Sequence, residues 1–438
     1  MTDLHTMNEK LCSCGKVHSF FSQIISGKGA LEQLPACLTQ RGAKRAFILS
    51  DVNTHAAAAE KVCSLLQAAG IAFVDYCMED THPEPDEKSV GSAMMHFDAS
   101  CDIIIGVGSG VINDIGKIVS NVSGKPYMIV ATAPSMDGYA SASSSMTRDG
   151  LKISLPSRSA DVIIGDTDIL CQAPLDMMRS GLGDMVAKYI SICEWRIAHL
   201  LTGEYYCEQI AQLIRRAVKR CADNAQGLLQ RREEAVMAVF EGLVIGGVAM
   251  NYAGLSRPAS GVEHYISHVL DMRGVEFGTP VQSHGMQCAA GTYIAAQLYE
   301  KLCRHQPDAQ AALDYVKNFD YDLWSGQLEM FLGKGAKSMI QLEKTEGKYD
   351  KAAHEKRLER IVALWPQILQ IVREEIPPLS QLDALYDAAG LPKTLGALGV
   401  EDKLLPMVFQ CTKDIRDKYV LSRLAWDLGM PEDIMKME

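Results

Sequence analysis

Asp102-Ile103-Ile104-Ile105-Gly106-Val107-Gly108-Ser109-Gly110 is the stretch that decides the fold. Residues 102–107 are too apolar for a strand with one face in water, so they read as a strand buried on both faces of a parallel sheet. Glycines at 106, 108 and 110 let the backbone approach an anion closely. The helix that opens there, Val111 to Val122, turns free N–H groups and a positive dipole end toward the same point. Strand, glycine turn and helix together make a phosphate cradle; the plainer alternative is a tight strand-to-helix turn.

Working outward, Arg45 to Ser50 reads as a strand ending at Asp51, and His55 to Ala69 as a helix stopped by Gly70. Ile71 to Cys77, Tyr127 to Ala131 and Asp161 to Ile164 are further strands, and Glu87 to Phe97 is a helix. Apolar strands alternating with helices predict an α/β nucleotide-binding domain with a parallel sheet. After about Pro174 strand signals fade. Met177–Leu201, Tyr206–Gln230, Glu233–Ala253 and Arg357–Glu374 read as helices. The expected organisation is an α/β domain over 1–172 and an all-helical, metal-binding domain over 173–438. In the usual dinucleotide fingerprint the acidic ribose ligand follows the glycines by about 20 residues. Here the acidic candidate, Asp51, precedes them, which implies a different strand order. The nucleotide-site candidates are Asp51, Gly108, Ser109, Gly110, Asp114, Thr132, Ser135 and Ser141.

Composition narrows the class. The chain has 438 residues, 47% hydrophobic and 22% charged, as in soluble globular proteins. No run of about 20 apolar residues predicts a membrane span, and the N-terminus lacks an apolar signal core. A net charge of −11 gives no footprint for nucleic acid. Thirteen dispersed cysteines imply reduced thiols and a cytoplasmic location. Cys12, Cys14 and His18 are zinc-type ligands, but no second pair follows at zinc-finger spacing, so they read as small residues of an N-terminal arm.

Three segments of the helical half carry metal-ligand chemistry: Gly181-Leu182-Gly183-Asp184, Glu263-His264-Tyr265-Ile266-Ser267-His268, and Gln282-Ser283-His284-Gly285. Asp184 is expected at the start of an apolar helix, where a carboxylate suits the dipole. His264 and His268 are one helical turn apart and share a face. His284 is expected to begin another helix. One carboxylate and two imidazoles form a three-ligand divalent site with an open position, the arrangement of a catalytic metal. Taken singly, each histidine also reads as a satisfied core residue.

Together these pieces resemble the iron-containing alcohol dehydrogenase and dehydroquinate synthase superfamily, and within it the glycerol-1-phosphate dehydrogenase branch. The likeness rests on GVGSGVINDIGK (106–117), ATAPSMDGYAS (131–141), DTDILCQAP (166–174), GLGDMVAKY (181–189), EHYISH (263–268) and QSHG (282–285), in order over roughly residues 20 to 300. The resemblance implies NAD(H) or NADP(H) as cofactor, Asp184, His264 and His284 as ligands of a zinc, nickel or iron ion, and Asp137 beside the substrate hydroxyls. It implies interconversion of a polyol phosphate and its ketone, and a homodimer. Residues 301–438 carry no matching motif and are read as specific to this branch.

His268 is the candidate proton relay, with the orienting of a ligand as its alternative role. For a phosphorylated substrate, Lys152, expected in the turn Asp149-Gly150-Leu151-Lys152, is the preferred cation. Glycerol dehydrogenase, a sugar-phosphate cyclase and a non-catalytic nucleotide-binding protein are the competing readings. Asp184, where the cyclases usually carry Glu, disfavours the second of these, and the intact ligand set disfavours the third.

Overall fold

A computed structural model describes residues 7–148, 151–430 and 433–436. The chain forms two compact units. One comprises residues up to Met185 together with Gln212–Leu255, the other Val186–Ala211 and Ser256–Glu438. The expected boundary at 172/173 thus falls inside the first unit, which keeps the helix after it and later takes in two more.

The first unit is built on a six-stranded sheet of β1 (Gln23–Gly27), β2 (Arg45–Asp51), β3 (Ala72–Met78), β4 (Ile103–Gly108), β5 (Tyr127–Ala131) and β8 (Val162–Asp166), in the order β1-β8-β5-β4-β2-β3. Every pairing in it is parallel. The apolar character of residues 102–107 is explained by position: β4 is central, and all six of its residues are buried. Ile103, Ile105 and Val107 pack with Ile48, Met128, Val130 and Ile164 against Leu31, Leu34, Leu38, Val62 and Leu66. Each such side chain contributes about 1.5–3 kcal/mol through burial. The opposite face is shaped by glycine: a Cβ at Gly106 or Gly116 would collide with the Tyr127 ring, so helix Gly110–Ser123 lies close on the sheet.

Three strands before β8 were not anticipated. β1 is a short edge strand with one buried residue, so its pattern is too brief to read. β6 (Ser143–Arg148) and β7 (Leu151–Pro156) form an antiparallel hairpin from a serine-rich segment with no apolar run. Lys152 is therefore a strand residue opposite Thr147, not a turn residue; Asp149 and Gly150 of the expected turn lie outside the described residues.

Strand order sets the binding crevice. From β2 the chain moves to β3 on one side; from β4 it moves to β5 on the other. Such a switch opens a crevice beyond the carboxyl ends of the two strands, here at Asp51 and Gly108.

Helix Glu233–Ala253 is long and apolar enough to cross a membrane, yet it is mostly buried, as the core helix of the first unit. The second unit is helical throughout its described residues; Lys188–Thr202, Val262–Phe277, His284–Arg304 and Lys351–Glu375 are its main helices. The single helix expected over 177–201 is interrupted at Ala187, giving Leu175–Val186 and Lys188–Thr202. Neither Gly nor Pro marks the break.

Asp166 ties the first unit together. It is 1% exposed; Oδ1 accepts from Asp168 N–H at 3.0 Å, capping the next helix, and Oδ2 accepts from Leu31 N–H at 2.9 Å. Asp166→Ala leaves both donors without their acceptor and should cost about 1–3 kcal/mol for each one kept from water. Asp166→Asn, which keeps one acceptor oxygen, should lose less. Urea unfolding of the three proteins measures this; an unchanged midpoint for the alanine variant would remove Asp166 from the stability argument.

Candidate active site residues in the two units

In the first unit the strand, glycine turn and helix expected from residue 102 onward form. Ser109 precedes helix Gly110–Ser123 and its side chain caps no helical N–H, so the first turn keeps its donors. A Cβ on Gly108 would lie 2.5 Å from Ile112 Cβ, which explains the glycine. Thr132 N–H donates to Gly108 O at 3.1 Å, joining the end of β5 to the cradle. The Ser109 and Ser135 hydroxyls hydrogen-bond each other. The Tyr139 hydroxyl donates to Ala133 O at 2.6 Å, and burial pushes it well above the ordinary tyrosine range. Gly108, Ser109, Gly110, Thr132 and Ser135 are thus brought together.

Asp114 and Ser141 lie beneath the cradle, joined by Lys117, whose importance no spacing announced. Lys117 is fully buried; its Nζ is 3.1 Å from Asp114 Oδ1, and donates to Gly138 O and Ser141 Oγ at 3.2 Å each and to Ser143 O. Burial pushes the Asp114 carboxyl up, while Lys117, and Lys152 more weakly, oppose the shift. Asn113 donates to the same Gly138 O at 3.0 Å. Asp51 serves as a helix cap, its Oδ1 accepting from Asn53 N–H at 2.8 Å and Thr54 N–H at 2.9 Å. Lys152 is exposed on β7.

The segment carrying Asp137 is clamped by glycines. A Cβ on Gly181 would collide with Pro134 O, and one on Gly247 would lie 2.9 Å from Asp137 O. Helices Leu175–Val186 and Glu233–Ala253 therefore both approach this segment at backbone distance. Asp184 is fully buried, and its Oδ2 accepts from Asp137 N–H at 2.9 Å. It stands in the last turn of Leu175–Val186 rather than at a helix start. The dipole there is unfavourable, and the Asp137 N–H supplies a specific donor instead.

In the second unit His264, His284 and Cys288 bring one donor atom each within 4.8 Å of one another. Cys288 was missed, although it lies four residues after His284 on helix His284–Arg304, on the same face. Burial pushes the Cys288 thiol up; the two imidazoles outweigh this, and its net shift is downward. His264 Nδ1 lies 2.9 Å from Glu263 Oε1. A carboxylate only accepts, so Nδ1 carries the proton and Nε2 is left as the donor to a cation. His284 begins its helix as expected, with Nδ1 3.3 Å from Ser267 Oγ. His268 lies one turn after His264, half-buried, its ring centroid 6.1 Å from that of Tyr265.

Glu263 is itself held. Its Oε1 accepts from Gly261 N–H at 2.7 Å, while Glu194 accepts from Val262 N–H at 2.9 Å and Leu421 N–H at 2.7 Å. Two carboxylates thus sit at the N-terminus of helix Val262–Phe277, where the dipole favours negative charge. Burial and the neighbouring Glu263 push Glu194 well above the ordinary carboxylate range. Two imidazoles and a thiol with an orienting carboxylate suit a borderline divalent metal such as zinc, iron(II) or nickel(II).

Residues 25–174 match the model of the iron-containing alcohol dehydrogenase family. Over 298 residues the chain is 31% identical to glycerol-1-phosphate dehydrogenase [NAD(P)+] of Halalkalibacterium halodurans, covering 67% of this chain and 75% of that protein. Over 278 residues it is 34% identical to the enzyme of that name from Methanothrix thermoacetophila, covering 63% and 77%. In fold it is similar to glycerol dehydrogenase from Schizosaccharomyces pombe, with a TM-score of 0.61, 17% identity, and coverage of 98% of this chain and 93% of that one. That coverage takes in the helices past residue 300, so they belong to the shared fold rather than to one branch. The chain belongs to the glycerol-1-phosphate dehydrogenase family of the iron-containing alcohol dehydrogenases and is an NAD(P)-dependent dehydrogenase of that kind.

Proposed function

We propose that this enzyme interconverts dihydroxyacetone phosphate and sn-glycerol 1-phosphate, using NAD(H) or NADP(H) and one divalent metal ion. The observation that carries the proposal is the convergence of His264 and His284, with Glu263 setting the His264 tautomer, in a chain related to enzymes of that name from a bacterium and an archaeon. Asp184 is proposed as the carboxylate ligand. When bound, the metal supplies a Lewis acid for the oxygen that changes between carbonyl and alcohol; the nicotinamide carries the hydride. The cradle of Gly108, Ser109 and Gly110 takes the pyrophosphate, with Thr132 and Ser135 lining it and Asp114 and Ser141 beneath. Asp137 orients the substrate hydroxyls, Lys152 grips the phosphate, and His268 passes the proton. The enzyme works as a homodimer in the cytoplasm.

His264→Ala should abolish activity and strip the metal while circular dichroism stays that of the wild type. Glu263→Gln should weaken metal affinity about 10–100-fold, the usual cost of losing an orienting partner. Stoichiometric metal with full activity in His264→Ala would refute the assignment.

Lys152→Ala should lower kcat/KM for dihydroxyacetone phosphate roughly ten- to hundredfold, the value of about 1.5–3 kcal/mol for a charge-assisted contact. Unphosphorylated dihydroxyacetone should be little affected. Equal losses on both would deny Lys152 its phosphate role.

Asp51 is proposed to read the ribose and to repel a 2′-phosphate, favouring NADH. Because it also caps a helix, Asp51→Asn is the informative variant: it keeps the cap and removes the charge. The NADPH-to-NADH ratio of kcat/KM should rise at least roughly fivefold, about 1 kcal/mol. An unchanged ratio would leave Asp51 as a cap alone.

A further inference from the structure

The N-terminal arm folds Cys12-Ser13-Cys14-Gly15-Lys16-Val17-His18 into a tight knuckle. Leu11 bridges Val17 antiparallel, Cys12 N–H donates to Lys16 O at 2.9 Å, and Gly15 N–H donates to Cys12 O at 2.9 Å. Gly15 has φ +82°, a conformation that other residues adopt only with strain. Beyond the knuckle, Glu9 N–H donates to His18 O at 2.8 Å, which brings His18 back alongside the cysteines.

The donor geometry is that of a coordination shell. Cys14 Sγ lies 3.4 Å from His18 Nε2, and the Cys12, Cys14 and His18 donor atoms are all within 4.8 Å of one another. In a tetrahedral zinc site with Zn–S near 2.3 Å and Zn–N near 2.0–2.1 Å, an S–N edge is about 3.6 Å. His18 is 1% exposed, and its Nδ1 is 2.9 Å from Tyr252 O. A carbonyl only accepts, so Nδ1 carries the proton and Nε2 turns its lone pair to the thiols, as in imidazoles that bind metal.

The burial pattern supports the same conclusion. Leu11, Val17 and Phe21 are 77%, 57% and 78% exposed, while Cys12 and His18 are buried. Leu11, Val17 and Phe21 thus face outward, while Phe20 is the arm's buried aromatic, and Cys12 and His18 face inward with Cys14 half-buried. Few apolar side chains of the knuckle are buried, and metal binding orders segments that lack a core of their own.

We propose that Cys12, Cys14 and His18 bind a zinc ion that fastens the N-terminal arm, separate from the ion of His264 and His284. Zinc takes four ligands, so a further thiol of the chain or a water closes the shell. The role is structural: the three ligands lie within the seven residues Cys12 to His18, so the ion fixes the geometry of the knuckle itself, and Cys12 and His18 are buried.

The test is metal content by mass spectrometry on the full chain, purified without chelator. A His264→Ala/His284→Ala double variant should keep one equivalent of zinc. Adding Cys12→Ser and Cys14→Ser should remove it, and the arm should become sensitive to protease. Cobalt(II) loaded into the histidine double variant should show a thiolate charge-transfer band, a readout that needs no cysteine variant to fold. Absence of both stoichiometric zinc and that band from the histidine double variant would overturn the proposal. So would zinc that survives loss of Cys12 and Cys14.

Discussion

A buried ammonium organises the nucleotide half of this enzyme. Lys117 Nζ faces Asp114, two main-chain carbonyls and the Ser141 hydroxyl, and the side chain is fully buried. Losing one partner of such a buried pair costs about 3–5 kcal/mol, so helix Gly110–Ser123 and the segment 138–143 are bound to each other. Everything proposed for the cradle follows from that. Gly108 and Ser109 stand at the head of the helix, Ser135 meets Ser109, and Asp137 sits next to Gly138, a carbonyl that Lys117 and Asn113 both hold. A charge that looks like one lysine among many in the chain is a keystone of the first unit.

The second unit uses the reverse arrangement. There the buried groups are carboxylates, Glu194 and Glu263, held by backbone N–H donors at a helix N-terminus, and their purpose is orientation. Glu263 gives His264 one tautomer, and helix His284–Arg304 supplies His284 and Cys288 on one face. Helices rather than loops carry these donors. The chemistry proposed for the enzyme divides accordingly, with the nucleotide cradle on the first unit and the two histidine ligands on the second.

Much of this was legible in the residues. The run 102–110 identified a buried strand and a glycine turn into a helix, because apolar continuity and glycine spacing are local. His264, His284 and Asp184 stood out as candidate ligands by residue type, and the structure brings the two histidines together. What stayed hidden depended on contacts between distant residues. Asp114 was a nucleotide-site candidate, but Lys117 looks like its ordinary exposed i,i+3 partner until burial is known. Cys288 and Glu263 flank the histidines without any pattern of their own. Asp184 was misplaced on its helix because helix ends depend on packing that propensity does not carry. The β6–β7 hairpin is serine-rich, and the Cys12 arm showed three ligand-type residues without zinc-finger spacing.

The central claim concerns which ketone the enzyme reduces. The direct measurement is NADH oxidation by metal-loaded enzyme with dihydroxyacetone phosphate, with dihydroxyacetone compared in parallel, followed by stereochemical analysis of the product. The expected result is a strong preference for the phosphorylated ketone, loss of turnover on chelation, and sn-glycerol 1-phosphate as the only isomer. Turnover of dihydroxyacetone in preference to its phosphate, or formation of the 3-phosphate, would contradict the assignment.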